Sequence, residues 1–252
     1  QLDKERIYDV TFIATYNDIS TDIFKEIHNL EPAMRFLINR LWIIMRRNPT
    51  LTAEDALSRA LLYYGKNLED AEFLSLFQNL QPYILYMVNR YRCKVLETLL
   101  NAGIKVDVYG KSWLFSSLKE HPCFIWHNED LSTEECLKVW QQSKIVLNVM
   151  SWHKDAITER ILNSMLQKAV VVTERNPYME ASFSSGEDLI LYDLTALDVL
   201  PEQVKNALEN PALLSHIAEQ GYQKAHASHT WSQRAATLVN ICALEFIPSR
   251  PL

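Results

Sequence analysis

Residues 144–173 read KIVLNVMSWHKDAITERILNSMLQKAVVVT, and this stretch decides the fold. Lys144 to Met150 and Ala169 to Thr173 are short apolar runs rich in β-branched residues, the mark of buried strands. Between them, Thr158 to Gln167 spaces its apolar residues at helical steps. Two strands separated by a helix within about thirty residues form a crossover unit, which joins parallel strands and turns right-handed. Working outward, Ile7 to Ala14, Ile104 to Tyr109, Cys123 to Trp126 and Asp188 to Tyr192 read as further strands. Val88, Tyr91, Val95, Leu99 and Ala102 recur at steps of three and four, and Gly103 then stops that helix. Gly110 ends the strand that follows. Ser132-Thr133-Glu134-Glu135 is a capping box that opens another helix. Three helical segments, around Val204, Ile217 and Leu238, close the chain. Strands alternating with helices define an α/β class: a mainly parallel sheet with helices on both faces.

The stretch from Ser20 to Gln81 departs from this rhythm, with several helical patterns and no strand. Leu37, Leu41 and Ile44 form one apolar face, and Met34, Ile38 and Met45 a second, so this helix is expected to be sandwiched. Thr52 reads as an N-cap, with Glu54 and Asp55 suited to the first turn. Two readings are open for the segment: a helical bundle inserted in the main domain, or a surface for a partner. The expected organisation is a first strand in residues 1–19, a helical insertion or subdomain in 20–82 and the main α/β domain in 83–252.

The chain has 252 residues and a formal charge of −6, with 48% hydrophobic and 22% charged residues, so it can bury a substantial core. A mild acidic excess without a basic stripe argues against nucleic acid as a partner. No apolar run is long enough to cross a bilayer, so no transmembrane segment is expected, and there is no leader pattern at the start. Cys93, Cys123, Cys136 and Cys242 are scattered, which fits a reducing cytoplasm rather than a disulfide scaffold. With only 5 glycines, no glycine-rich phosphate loop of the dinucleotide or P-loop kind can be built. No D-x-D pair and no histidine pair at helical ligand spacing occurs, so no metal is expected.

In an open α/β sheet, ligands bind beyond the carboxyl ends of the strands. The richest loop there is Ser151 to Arg160, which runs from a strand into a helix N-terminus. Free amides and the helix dipole favour an anion at such a point, and Lys154 or Arg160 can add charge-assisted contacts to phosphate. In a competing reading, Asp155 or Thr158 merely caps the helix and Arg160 pairs with a carboxylate such as Glu174. His153 is a candidate base, and Lys111, His127 and Asn128 follow other strands.

From Arg90 to Ile241 the order of elements resembles the C-terminal, nucleotide-sugar-binding half of GT-B fold glycosyltransferases, in the group 1 branch that includes CgeB-like proteins. The blocks carrying the resemblance are Ile104 to Trp113, Thr158 to Glu174 and Phe183 to Asp193. Ile217 to Tyr222 and His229-Thr230-Trp231 are similar to the end of that family.

The resemblance implies a Rossmann-like domain and metal-independent transfer of a sugar from a nucleoside-diphosphate sugar to an acceptor the sequence does not identify. It implies no cofactor beyond that donor substrate. In the family, two glutamates separated by seven residues serve the donor. Here those positions fall on Asp155 and Asn163, and Arg160 matches the arginine three residues before the second. Together with the loop residues named above, this makes Asp155 and His153 the catalytic candidates, and Arg160, Lys154, Lys111, Asn163, Thr158, His127 and Asn128 the donor-binding ones. Lys168 stands where the family has a glycine, as does Ala14-Thr15 after the first strand. GT-B enzymes close like a clamp around an N-terminal acceptor domain. That half is expected either to precede Gln1 or never to have belonged to the chain. In the second case a non-catalytic binding or assembly module, acting through the helical segment, is the alternative.

Overall fold

The structure is a computed structural model that describes residues 6–17, 23–150 and 154–245. In chain order it runs β1 (Tyr8–Ile13), α1 (Ile23–Asn29), α2 (Pro32–Arg47), α3 (Ala53–Tyr63), α4 (Asp70–Asn79), α5 (Gln81–Asn101), β2 (Val106–Tyr109) and β3 (Phe124–His127). It continues through α6 (Thr133–Gln141), β4 (Ser143–Leu147), α7 (Glu159–Leu166), β5 (Val170–Glu174), α8 (Pro177–Ser182) and β6 (Ile190–Tyr192). The last three elements are α9 (Leu200–Glu209), α10 (Pro211–Ser228) and α11 (Trp231–Glu245).

The six strands form one sheet in the order β3-β2-β1-β4-β5-β6, parallel at every pairing. Each expected strand is present, with ends shifted by up to three residues, and two of these ends are set by identifiable hydrogen bonds. β4 stops at Leu147: Asn148 N–H still bonds Val172 O at 2.8 Å, but Met150, two residues further on, gives its N–H to the Glu174 carboxylate at 2.6 Å instead of to a strand carbonyl. β2 starts late because Ile104 N–H is used at 3.1 Å by Leu99 O, closing the end of α5. The capping reading of Thr52 holds, since its hydroxyl accepts from Asp55 N–H at 3.1 Å. So does the box at Ser132 and Glu135.

Alternation along the strands sorts their side chains between two layers. Val10, Phe12, Val106, Val108, Ile145, Leu147, Val170 and Val172 face one large apolar cluster. Leu41, Leu57, Ile84 and Leu99 from the helical excursion belong to that same cluster, so the insertion and this face of the sheet share one core. Val171 and Leu191 point the other way, into a cluster with Ile161, Met165 and Ala225 from α7 and α10. α2 packs against both α3 and α5, as its two apolar faces require.

The whole helical excursion lies in the single connection from β1 to β2. The order of strands reverses between β1 and β4, so a crevice opens beyond their carboxyl ends. Gly110 keeps the neighbouring exit of β2 tight. It sits at φ 140°, and a Cβ there would come within 2.7 Å of Ala14 O.

Candidate functional site

A cavity of about 650 Å³ lies at this reversal point. Its walls come from the end of β1 at Ile13, from α6 at Cys136 and Trp140, from Asn148 to Met150 after β4, and from Ile157 to Asn163 at the start of α7. Arg92 of α5 closes it from the side of the helical excursion.

Arg160 sits in the first turn of α7, where helical geometry turns it back toward the end of β4. Its Nη1 donates to Asn148 Oδ1 at 3.0 Å, the only side-chain hydrogen bond it makes among the described residues. Asn148 is itself buried and held by donation to Thr173 Oγ1 at 2.9 Å. Arg160 therefore stands on a fixed support with other N–H groups turned to the cavity. Burial lowers its pKa by disfavouring the charged form. Arg92 is also held in place, donating from Nη1 to Thr15 O at 2.6 Å. Burial, and then the charge of Arg160, bring its pKa down to about 10, so Arg92 is still cationic at neutral pH. Two cations that disfavour one another across one hollow create a site in which an anion relieves both.

Thr158 occupies the N-cap position of α7 without capping it, so the competing capping reading does not describe its side chain. Its hydroxyl lines the cavity and is buried with no hydrogen-bond partner among the described residues. Asn163, one turn further along, also lines the cavity. Thr158, Arg160 and Asn163 thus line one cavity.

The other sequence candidates are placed elsewhere. Lys154 is buried, with Nζ 3.4 Å from Glu174 Oε1 and 3.1 Å from Met150 O, so its charge is directed at the protein and not at the cavity. Glu174 pairs with Lys154, which also sets aside the reading in which it pairs with Arg160. Its carboxyl pKa is raised by burial, against the opposing pull of Lys154 and of the bonds from Met150 N–H and Tyr192 OH. Lys111 is exposed beside Asp130, at 4.0 Å. His127 is tied by Nε2 to Asp107 at 2.7 Å and stacks on Tyr109 with ring centroids 4.1 Å apart, while Asn128 next to it is exposed. Asp155 is exposed and absent from the cavity wall, and His153 lies outside the described residues.

Arg92 and Asn148 were not singled out from the sequence. Arg92 is one of three basic residues in a row of alternate positions with Arg90 and Lys94, and only the packing of α5 distinguishes it. Asn148 carried a weak signal as a polar residue interrupting an apolar strand at its carboxyl end.

By overall architecture the chain is a Rossmann-like domain of the GT-B kind. It superposes on a crystal structure of TarM, a GT-B glycosyltransferase, with a TM-score of 0.50 at 8% sequence identity. The match covers 94% of this chain and 36% of that one, so the chain spans little more than a third of the solved protein's length. Residues 90–240 match the glycosyl transferase-like family, and the chain belongs to that family. No curated protein matches it by sequence.

Proposed function

We propose that this chain is the donor-binding part of a glycosyltransferase. It takes a nucleoside-diphosphate sugar into the cavity at the reversal point and supports transfer of the sugar to an acceptor. The observation that carries this reading is the convergence of Arg92 and Arg160 on one cavity, in a chain of the glycosyl transferase-like family. In such a transfer, the bond from the anomeric carbon to the diphosphate oxygen breaks and negative charge collects on the departing diphosphate. Fixed cations aimed at that charge lower the barrier without reorganising. Arg160 on its Asn148 support and Arg92 on the Thr15 carbonyl fit this task, and with them we propose that the reaction needs no metal ion. The first amides of α7 and the Thr158 hydroxyl add donors for a phosphate oxygen. Asn163, in place of the family's glutamate, can hydrogen-bond a ribose hydroxyl without adding charge.

The acceptor half, and with it the complete active centre, would come from elsewhere in a longer protein or from a partner. Asn163 also favours a second reading, a binding module that keeps the donor site without turnover. The two separate on one measurement. Calorimetry with UDP, GDP, ADP and TDP should show binding of at least one diphosphate under either reading, whereas release of free sugar from the matching nucleotide sugar, assayed with the acceptor half supplied, is expected only of the enzyme. If all four diphosphates fail to bind at millimolar concentration, both readings fall.

A further inference from the structure

A second cavity, of about 630 Å³, lies between α2 and α5 in the helical excursion. On α5, Tyr86, Arg90 and Lys94 follow one another at single-turn spacing and therefore share a stripe. Arg46, in the last turn of α2, faces the same hollow. Among the described residues none of these three cations makes an ion pair or side-chain hydrogen bond, and no carboxylate of those residues lines the cavity. Basic residues in the exposed excursion of an acidic chain have many carboxylates available to them, yet these three converge on one hollow.

The rest of the wall is aromatic. Phe24, Trp42 and Tyr86 form a contiguous cluster, with Trp42 and Tyr86 centroids 4.9 Å apart at 33° and Phe24 set edgewise against both. Trp42 is fixed by donation from Nε1 to Tyr83 O at 2.9 Å. Trp42 and Tyr86 each cover one face of the other, and with Phe24 edgewise against both the wall is an angled corner and not a parallel-sided slot. The corner that remains suits a puckered ring whose C–H groups can lie against aromatic surface. Charge and shape together define an occupant with a saturated ring and an anionic substituent.

We infer that this groove is a binding site for an acidic sugar, its ring against Trp42 and Tyr86 and its phosphate or carboxylate held by Arg46, Arg90 and Lys94. It is separate from the donor cavity and does not depend on how that cavity is read. The three cations are exposed and have no side-chain partner among the described residues, so the double substitution Arg90→Ala/Lys94→Ala leaves the fold intact.

Calorimetry and saturation-transfer NMR on the full chain test it with glucose 6-phosphate, glucuronate, glucose, inorganic phosphate and UMP. Glucose 6-phosphate or glucuronate should bind, glucose and phosphate alone more weakly. The double variant should weaken the acidic sugar by about tenfold or more, the scale of losing charged hydrogen bonds. Arg160→Ala should leave that binding unchanged. The assignment is overturned if neither acidic sugar binds, if inorganic phosphate or UMP binds as tightly as the sugar phosphate, or if the double variant and the charge reversal Arg90→Glu/Lys94→Glu bind like the parent. Acidic sugar binding without any diphosphate binding would remove the donor reading and leave this site standing.

Discussion

Lys154 and Glu174 form a buried ion pair beneath the floor of the sheet's carboxyl edge, Nζ to Oε1 at 3.4 Å, each side chain less than a tenth exposed. Glu174 closes the β4 exit at the same time, accepting from Met150 N–H at 2.6 Å and from Tyr192 OH at 3.2 Å. The pair fixes the backbone from which Asn148 supports Arg160.

Removing one member should cost much more than removing both. Lys154→Met leaves a carboxylate buried without its cation, a loss on the order of 3–5 kcal/mol, while Lys154→Met/Glu174→Gln should recover most of it. The sign with pH follows from the direction of the Glu174 shift. Burial raises its folded-state pKa, so protonation favours the folded chain, and that advantage fades as pH rises through the folded value. Without Lys154 the shift grows. Urea denaturation of Lys154→Met should therefore show a deficit against the parent that grows as pH rises above the ordinary carboxylate range. A deficit that is flat with pH would contradict this.

Arg160→Ala should weaken a diphosphate by about tenfold or more and the matching nucleoside little, because the guanidinium is placed for charge and not for a base. Titration of the parent and variant with both ligands checks it, equal losses being the contrary result. Asn148→Ala should act in the same direction and more weakly, by releasing Arg160 from its support.

Lys168 holds a left-handed backbone at φ 57°, the position at which the family resemblance has glycine. Its side chain offsets that conformation with an ion pair to Glu219 at 2.6 Å and a cation over the Tyr222 ring at 4.6 Å. Lys168→Ala keeps the backbone strain and loses both contacts. Lys168→Gly loses the contacts and relieves the strain, and should be the more stable of the two by about 1 kcal/mol. Thermal melts of the two variants give the order directly.

Gly221 lies where α10 crosses the loop before β6. A Cβ there would meet Asp188 O at 2.5 Å, and the obstacle is backbone, which cannot swing aside. Gly221→Ala should destabilise by roughly 1–3 kcal/mol, the range for forced overpacking. A denaturant midpoint equal to the parent's would show that α10 can shift freely.

The fold was readable because its signals are local. Each strand is a run of apolar residues that needs no distant partner to be recognised, and Gly103, Thr52 and Ser132 mark ends by their own chemistry. That Arg160, Thr158 and Asn163 share one cavity wall was legible for the same reason, since they are spaced along the start of one short helix. Lys154 was misjudged because its partner is 20 residues away on another strand, and no local pattern says that the two meet. Arg92 was missed for the converse reason: Arg90, Arg92 and Lys94 look alike in sequence, yet α5 turns one toward the sheet's edge and the other two toward α2. Which basic residue serves which hollow is a property of helix rotation against the sheet.

The apolar cluster that joins Leu41 and Leu57 to Phe12 and Val108 also limits how this chain can be shortened. The five-helix detour after the first strand is the roof over that side of the sheet. Cutting it out and stitching the ends with a brief linker would leave those strands wet, so any trimmed descendant would need to find them a new cover.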